Sequence, residues 1–194
     1  MICLVGNRPV LQVGNHQIVG YGVDWIETAL NRASVAADRD DFPFIDDIRD
    51  GIIHYLENKC PLRLLPIEDL YARMSRMLDR IGCCAISDHL KILTPPVTLS
   101  LARTAREMQP GFELGFFQTL RAEVDALHQL GTEEVHFTEI REAALILVGS
   151  KRWNTACDVF QRDILAFLEK TAERNSTPHS QLLLTLDASS SLTA

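Results

Sequence analysis

The chain has 194 residues, of which 26 are acidic and 19 are basic, so its formal net charge is −7. Hydrophobic residues make up 46 % of the chain and charged residues 23 %, which is typical of a globular protein and excludes an intrinsically disordered one. The acidic balance argues against binding to duplex nucleic acid, because such binding depends on Lys and Arg that neutralise phosphates.

Signals for membranes and secretion are missing from the sequence pattern. No apolar run reaches the length of about 18 residues that crosses a bilayer. Residues 1–5 are apolar but lack the basic segment that opens a signal peptide. The five cysteines are an odd number without the spacing of a disulfide framework, which favours free thiols in a reducing compartment. We therefore expect a cytoplasmic protein without a membrane partner.

The first segments of the chain alternate apolar stretches with turn residues. Residues 2–5, 10–13 and 16–19 are short apolar runs, and Gly14-Asn15 between the last two suits a tight hairpin turn. This pattern predicts a three-stranded antiparallel sheet at the N-terminus.

From residue 23 the apolar period changes from two to that of a helix. Three helical segments are predicted in the first half, followed by a short helix or apolar connector over residues 85–93. Residues 62–65 are expected to form an extended link before the third helix, which begins near Pro66 and stops at Gly82. Their apolar faces carry Trp25, Ile26, Ala29, Leu30 and Ala33, then Ile45, Ile48, Ile52, Tyr55 and Leu56, then Leu70, Met74, Met77, Leu78 and Ile81.

Thr94-Pro95-Pro96 is the clearest internal boundary, and helical patterns resume after it. We expect a domain over residues 1–93, a helical lobe over residues 97–172, and a linker with a tail over residues 173–194. Within the last segment, residues 181–186 (QLLLTL) have the composition of a late strand that joins the N-terminal sheet. The predicted fold is α+β and mainly helical, with the antiparallel sheet packed on a helical bundle.

The two halves have a similar order of elements, which is compatible with a diverged repeat. Residues 65–70 can be aligned with residues 135–140, and Ile48 and Ile52 with Leu120 and Val124. The alternative is that two helical lobes with short loops share this order by chance.

Two short N-terminal segments carry a family resemblance. Residues 10–15 read VLQVGN, residues 21–26 read YGVDWI, and a helix that opens with PIEDL follows at residue 66. Their order and spacing over residues 10–93 resemble the ATP-cone, the small regulatory domain of ribonucleotide reductases and of their transcriptional repressor. In that family the first segment reads roughly V-x-K-R-D-G and the second F-D-x-x-K-I. The resemblance implies a regulatory domain that binds ATP or dATP.

The residues at the family's binding positions differ from the family pattern. Gln12 and Val13 stand where the family has the lysine and arginine that meet phosphates, and Trp25 replaces the second lysine. Arg8 is the nearby cation, and Trp25 has a ring that can stack on a base or close a pocket. We therefore expect a degenerate site lined by Arg8, Gln12, Val13 and Trp25, because phosphate binding needs cations or clustered backbone N–H groups.

Other polar clusters are better explained as surface features. Acidic residues beside a histidine occur at two places where helices are predicted to begin, and carboxylates there stabilise the positive end of the helix dipole. The basic and aromatic triplet Lys151-Arg152-Trp153 also fits an exposed helix start. The two acidic groups are Asp46, Asp47, Asp50 and His54, and Glu133, Glu134, His136 and Glu139. We assign no metal ligand and no catalytic residue.

These observations predict a non-catalytic regulatory or ligand-sensing protein of ATP-cone type, with a small-molecule nucleotide as the expected ligand and weak phosphate contacts. The alternative is a module for protein interaction or homodimerisation that uses its apolar helix faces. A concave pocket beside the hairpin would favour the first hypothesis, and an exposed apolar patch would favour the second.

Overall fold

A computed structural model of the protein describes residues 8–40, 42–108, 111–175 and 183–186. The chain divides into two compact units, residues 1–95 and residues 96–194. Both units combine helices with a small sheet, and helices dominate, so the predicted α+β, mainly helical class is confirmed. The strand predicted at residues 2–5 and the tail at residues 189–194 lie outside the described residues.

The N-terminal unit places a hairpin before its helices. Gly14, with φ of +55°, allows the tight turn between the first two strands, as expected for this position. The elements are β1 (Val10–Val13), β2 (His16–Ile18), α1 (Asp24–Ala36), α2 (Ile45–Asn58), β3 (Leu64–Pro66), α3 (Ile67–Arg80) and α4 (Cys84–His89).

The sheet of this unit is mixed, and not antiparallel throughout as predicted. Its order is β2-β1-β3, with β2 antiparallel to β1 and β3 parallel to β1. The third strand comes from the segment that was expected to be an extended link. Leu65 is buried opposite Leu11, whereas Leu64 is exposed. Such a short strand has too few residues to show a clear alternation, and its partner lies a long crossover away in the sequence.

The core of the N-terminal unit lies between the inner face of the sheet and the helices. Helix α1 packs against α2 and α4, and α4 packs against α3. The largest fully buried side chains here are Leu11, Ile26, Leu30, Leu56, Leu65, Ile67, Leu70, Met74 and Leu78.

The C-terminal unit also contains a sheet, which the prediction of a purely helical lobe missed. Residues 97–100 lie in the predicted helical lobe, but Val97 and Leu99 are buried and Thr98 is exposed, which is the period of a strand. The elements are β4 (Val97–Ser100), α5 (Leu101–Glu107), α6 (Glu113–Gln129), β5 (Glu134–Thr138), α7 (Ile140–Val148), α8 (Thr155–Asn175) and β6 (Leu183–Leu186).

The three strands of the C-terminal unit are parallel, in the order β4-β5-β6. The late strand therefore exists at residues 183–186, but it pairs with β5 and not with the N-terminal sheet. Its composition indicates a strand without specifying a partner, which packing decides. Helix α8 extends to Asn175, three residues beyond the predicted end of the lobe, and Arg174 in its last turn pairs with Asp125 of α6.

Candidate functional site

Two of the four residues predicted to line a nucleotide site belong to the core. Val13 is 0 % exposed, because residues of β1 alternate and Val13 points inward with Leu11. Trp25 is 7 % exposed, donates its indole N–H to the carbonyl of Gly22 at 2.9 Å and lies against Tyr71 with ring centroids 6.2 Å apart. Trp25 therefore packs α1 against α3.

The other two predicted residues have internal partners. The guanidinium of Arg8 forms an ion pair with Glu57 of α2 at 2.6 Å and donates to the carbonyl of Tyr21 at 3.2 Å. Gln12 donates its side-chain amide to the carbonyl of Gly14 at 3.1 Å. The Glu57 carboxylate neutralises the charge of Arg8, and this ion pair joins the segment before β1 to α2.

A concave site occurs elsewhere in the N-terminal unit, between α2 and α3. This groove has a volume of about 410 Å³, within the range of small-molecule and side-chain pockets. Ile52, Leu70 and Met74 form its apolar floor, and each of them is also part of the core. We call it the α2–α3 groove; it is lined by Gly51, Ile52, Tyr55, Leu70, Arg73, Met74, Arg76, Met77 and Arg80.

Three arginines of α3 stand along one side of the α2–α3 groove. Arg73 donates to the hydroxyl of Tyr55 at 2.9 Å, and Arg76 donates to the carbonyl of Ala72, one turn earlier, at 3.0 Å. Within the described ranges, no carboxylate lies within 4.0 Å of the guanidinium groups of Arg73, Arg76 or Arg80. Their charges are therefore presented to solvent beside an apolar surface.

Helix α2 forms the opposite wall of the groove, which includes the phenol of Tyr55 and a glycine, Gly51. Burial first, and then a hydrogen bond with the thiol of Cys60, raises the pKa of the Tyr55 hydroxyl above its ordinary value. Gly51 is in the middle of α2, and no atom from elsewhere in the described chain lies within 4 Å of where its Cβ would be. A glycine there lowers helix propensity and leaves the backbone accessible from the groove.

The α2–α3 groove was not predicted from the sequence, although a signal for it is present. Arg73, Met77 and Arg80 follow the i, i+4, i+7 spacing of one helix face, next to the core face that carries Leu70 and Met74. The apolar spacing by itself predicts the core face of α3, and long charged side chains commonly lie along the border of such a face.

The acidic clusters predicted to be surface features have ordinary partners. Asp46 and Asp50 both pair with Arg49, at 2.8 and 2.9 Å, and Glu134 lies 2.9 Å from the ring of His136. In the part of the chain that the structure covers, no group of three or more His, Cys, Asp or Glu residues is arranged to hold a metal ion.

None of the described helices combines the length and the apolar character that a membrane span requires. Comparison of the chain with protein-family models, with curated proteins and with solved structures finds no match.

Proposed function

We propose that the protein is a non-catalytic regulatory protein whose N-terminal unit binds an anionic ligand in the α2–α3 groove. The observation that carries this proposal is the row formed by Arg73, Arg76 and Arg80 beside an apolar floor, without carboxylates to neutralise it in the described structure. In a chain of net charge −7, such a local excess of positive charge attracts anions. The apolar floor favours a ligand that also has an apolar part.

This proposal keeps the regulatory role implied by the ATP-cone resemblance and moves the binding site away from the hairpin. Support for the resemblance comes from the order of the elements, a hairpin followed by helices that pack on it. At the hairpin, however, Arg8 is paired and Val13 is buried, so a phosphate would have to break the bond to Glu57. ATP and dATP remain the first nucleotides to test, with the groove as the expected site.

The experiment uses a fluorescent anion with apolar rings, anilinonaphthalene sulfonate, together with ATP and dATP. We expect the fluorophore to bind the folded protein and the triple variant Arg73→Gln, Arg76→Gln, Arg80→Gln to lose most of this binding. Lys91→Gln is the matched control, because Lys91 is exposed and does not line the groove. Any ligand that binds the folded state alone should also raise the melting temperature.

Two results would decide against this site. Unchanged fluorophore binding in the triple variant would show that the arginines do not hold the anion. A nucleotide-induced thermal shift that is lost in Arg8→Gln and kept in the triple variant would return the site to the hairpin. Circular dichroism of each variant verifies that the helices are intact.

A second candidate function, homodimerisation, is favoured by one observation in the C-terminal unit. Phe112 and Leu114, at the start of α6, are 63 % and 72 % exposed, which is unusual for two large apolar side chains so close in sequence. Light scattering over a range of concentrations tests this candidate. A dimer that dissociates in Phe112→Ser, Leu114→Ser would support it, and a monomer at all concentrations would exclude it.

A further inference from the structure

The α2–α3 groove lies where the helices of the N-terminal unit do not pack closely on each other. Helix α2 makes its main helix contacts with α1, and α3 makes its main helix contact with α4. The helices thus contact one another in the order α2, α1, α4, α3, and α2 and α3 end this series. On its α3 side the groove extends from Leu70 to Arg80, which is about 15 Å along the helix axis. On its α2 side it extends from Gly51 to Tyr55.

The positive charges are spread along the groove and are not gathered at one point. Arg73 and Arg80 are seven residues apart on α3, which corresponds to about 10 Å along the helix axis, and Arg76 lies between them. The phosphates of one nucleotide would occupy only part of this length. A second helix with acidic residues at i, i+3 or i+4, and i+7 repeats the same spacing.

The floor and the far wall also suit a helix. Met74 and Met77 have flexible, polarisable side chains, which adapt to the apolar residues of a partner. Gly51 allows the backbone of an occupant to approach α2 closely, because no side chain stands in the way. An amphipathic helix in a groove places its apolar i, i+3, i+4 residues on such a floor.

We propose that the natural occupant of the α2–α3 groove is an acidic amphipathic helix from a partner protein. The apolar stripe of this helix would pack on Ile52, Leu70 and Met74, and its carboxylates would pair with the arginines of α3. This inference rests on the proposed function, since it names the class of anion that the groove binds.

The test uses three labelled helical peptides of about 14 residues and the full-length protein. The first has a leucine stripe flanked by glutamates, the second replaces the glutamates with lysines, and the third has the first peptide's composition with the stripe scrambled. We expect fluorescence anisotropy to show binding of the first peptide alone, weakened by added salt, since these ion pairs are partly exposed.

Variants of the protein test whether the first peptide binds in the α2–α3 groove. Each of Arg73→Gln, Arg76→Gln and Arg80→Gln should weaken the first peptide roughly fivefold, as expected for a partly exposed ion pair. Gly51→Trp should block the groove without changing its charge. Lys91→Gln should bind as the natural protein does. Because Arg80 is exposed, its variant tests the charge even where Gly51→Trp perturbs the fold.

The outcomes separate this inference from the function on which it rests. If the sulfonate fluorophore or ATP binds through the arginines and the acidic peptide neither binds nor displaces it, the groove is a ligand site and the helix inference is wrong. If the fluorophore, the nucleotides and the peptides all fail to bind, both proposals are wrong. Equal binding of the acidic and basic peptides would also overturn the helix inference. A dimer that dissociates in the arginine variants would identify a second copy of the chain as the occupant.

Discussion

The two units of the molecule arrange similar elements in a similar order. Each begins with a strand, continues through two helices, and returns in a strand that is parallel to the first and leads into a third helix. The segments aligned from sequence, residues 65–70 and 135–140, both contain the end of the returning strand. Ile48 and Ile52, which align with Leu120 and Val124, lie on α2, and their counterparts lie on α6. Leu120 and Val124 are fully buried, whereas Ile48 is slightly exposed.

The units differ in where the third strand is added. In the N-terminal unit, β2 is the second strand of a hairpin and lies beside β1. In the C-terminal unit no strand is described between β4 and α5, and β6 lies beside β5 at the other edge. Both sheets thus share a pair of parallel strands, and the third strand is added beside the first member of this pair in one unit and beside the second member in the other.

The units also use their arginines differently, and this difference bears on function. In the C-terminal unit, Arg103 pairs with Glu123, Arg106 with Glu142 and Arg174 with Asp125. In the N-terminal unit, the row on α3 faces the groove without carboxylate partners in the described chain. Arg121 and Arg141 of the C-terminal unit lie over the rings of Phe167 and Trp153. We expect an anion to bind in the N-terminal unit because the row on α3 borders an apolar groove.

The largest expected effect is the loss of stability caused by a substitution in the core of the C-terminal unit. Phe137 of β5 is 0 % exposed, and Phe137→Ala should cost about 3–5 kcal/mol, because it removes a large apolar side chain and leaves a cavity. The two tryptophans report on the units separately, Trp25 on the first and Trp153 on the second. In urea denaturation of single-tryptophan variants, Phe137→Ala should destabilise the transition seen by Trp153 and leave that seen by Trp25 nearly unchanged.

Leu65→Ala, in the returning strand of the other unit, is the matched control. Leu65 is also 0 % exposed, and its variant should reverse the pattern by affecting the transition seen by Trp25. Equal shifts of both transitions in either variant would show that the two units unfold as one.

A smaller effect distinguishes the units at alkaline pH, because all three tyrosines lie in the N-terminal unit. Burial raises the pKa of Tyr21 to about 12 and raises that of Tyr71 further. Between the unfolded pKa of about 10 and these values, the folded state holds protons that the unfolded state has lost. The N-terminal unit has this stability in full below pH 10 and loses it as the pH rises towards 12. The free energy of unfolding reported by Trp25 should therefore fall over this range.

Tyr71→Phe tests this reasoning. The Tyr71 hydroxyl donates to the carbonyl of Leu93 and accepts from its N–H, both at 2.9 Å. The variant should lose about 1–3 kcal/mol at pH 7, because it leaves buried backbone groups without partners. It should also show a smaller loss of stability between pH 9 and pH 11, measured by urea denaturation. An unchanged pH dependence would mean that this hydroxyl does not account for the alkaline loss.

A matched pair of helical glycines predicts a gain of stability in one unit and none in the other. Gly51→Ala should stabilise the N-terminal unit by about 0.5–1 kcal/mol, because the added methyl enters open space and the helix propensity rises. At Gly115 of α6, an added Cβ would lie 2.3 Å from the ring of Phe112. Gly115→Ala should therefore give no stabilisation by urea denaturation, and Phe112→Ala in the same chain should restore the gain. Stabilisation by Gly115→Ala alone would contradict the contact.

The sequence predicts the elements with strong periodicity and misses those that depend on distant partners. Helices α1 to α3 and the β1–β2 hairpin follow from local apolar spacing and from Gly14. Strand β3 is missed because its three residues are too few to show a period. Sequence position likewise cannot show that Arg8 meets Glu57, 49 residues away. The groove is missed because its two walls, α2 and α3, are placed side by side only by the tertiary fold.

The smallest expected effect is a gain of stability in the C-terminal unit as the pH falls. Burial raises the pKa of Glu123, and nearby Arg103, 3.4 Å away, only partly opposes this. The folded state therefore binds a proton more readily than the unfolded state, so the cost of burying the charge is relieved as the pH falls through the folded pKa. Glu123→Gln should remove this component, which is under about 1 kcal/mol as for other partly exposed pairs. Trp153 fluorescence reports the difference in free energy of unfolding between the natural protein and the variant. This difference should change between pH 7 and pH 5. An identical difference at both pH values would show that Glu123 titrates alike in the folded and unfolded chains, and that the ion pairs of this unit are held without a cost of burial.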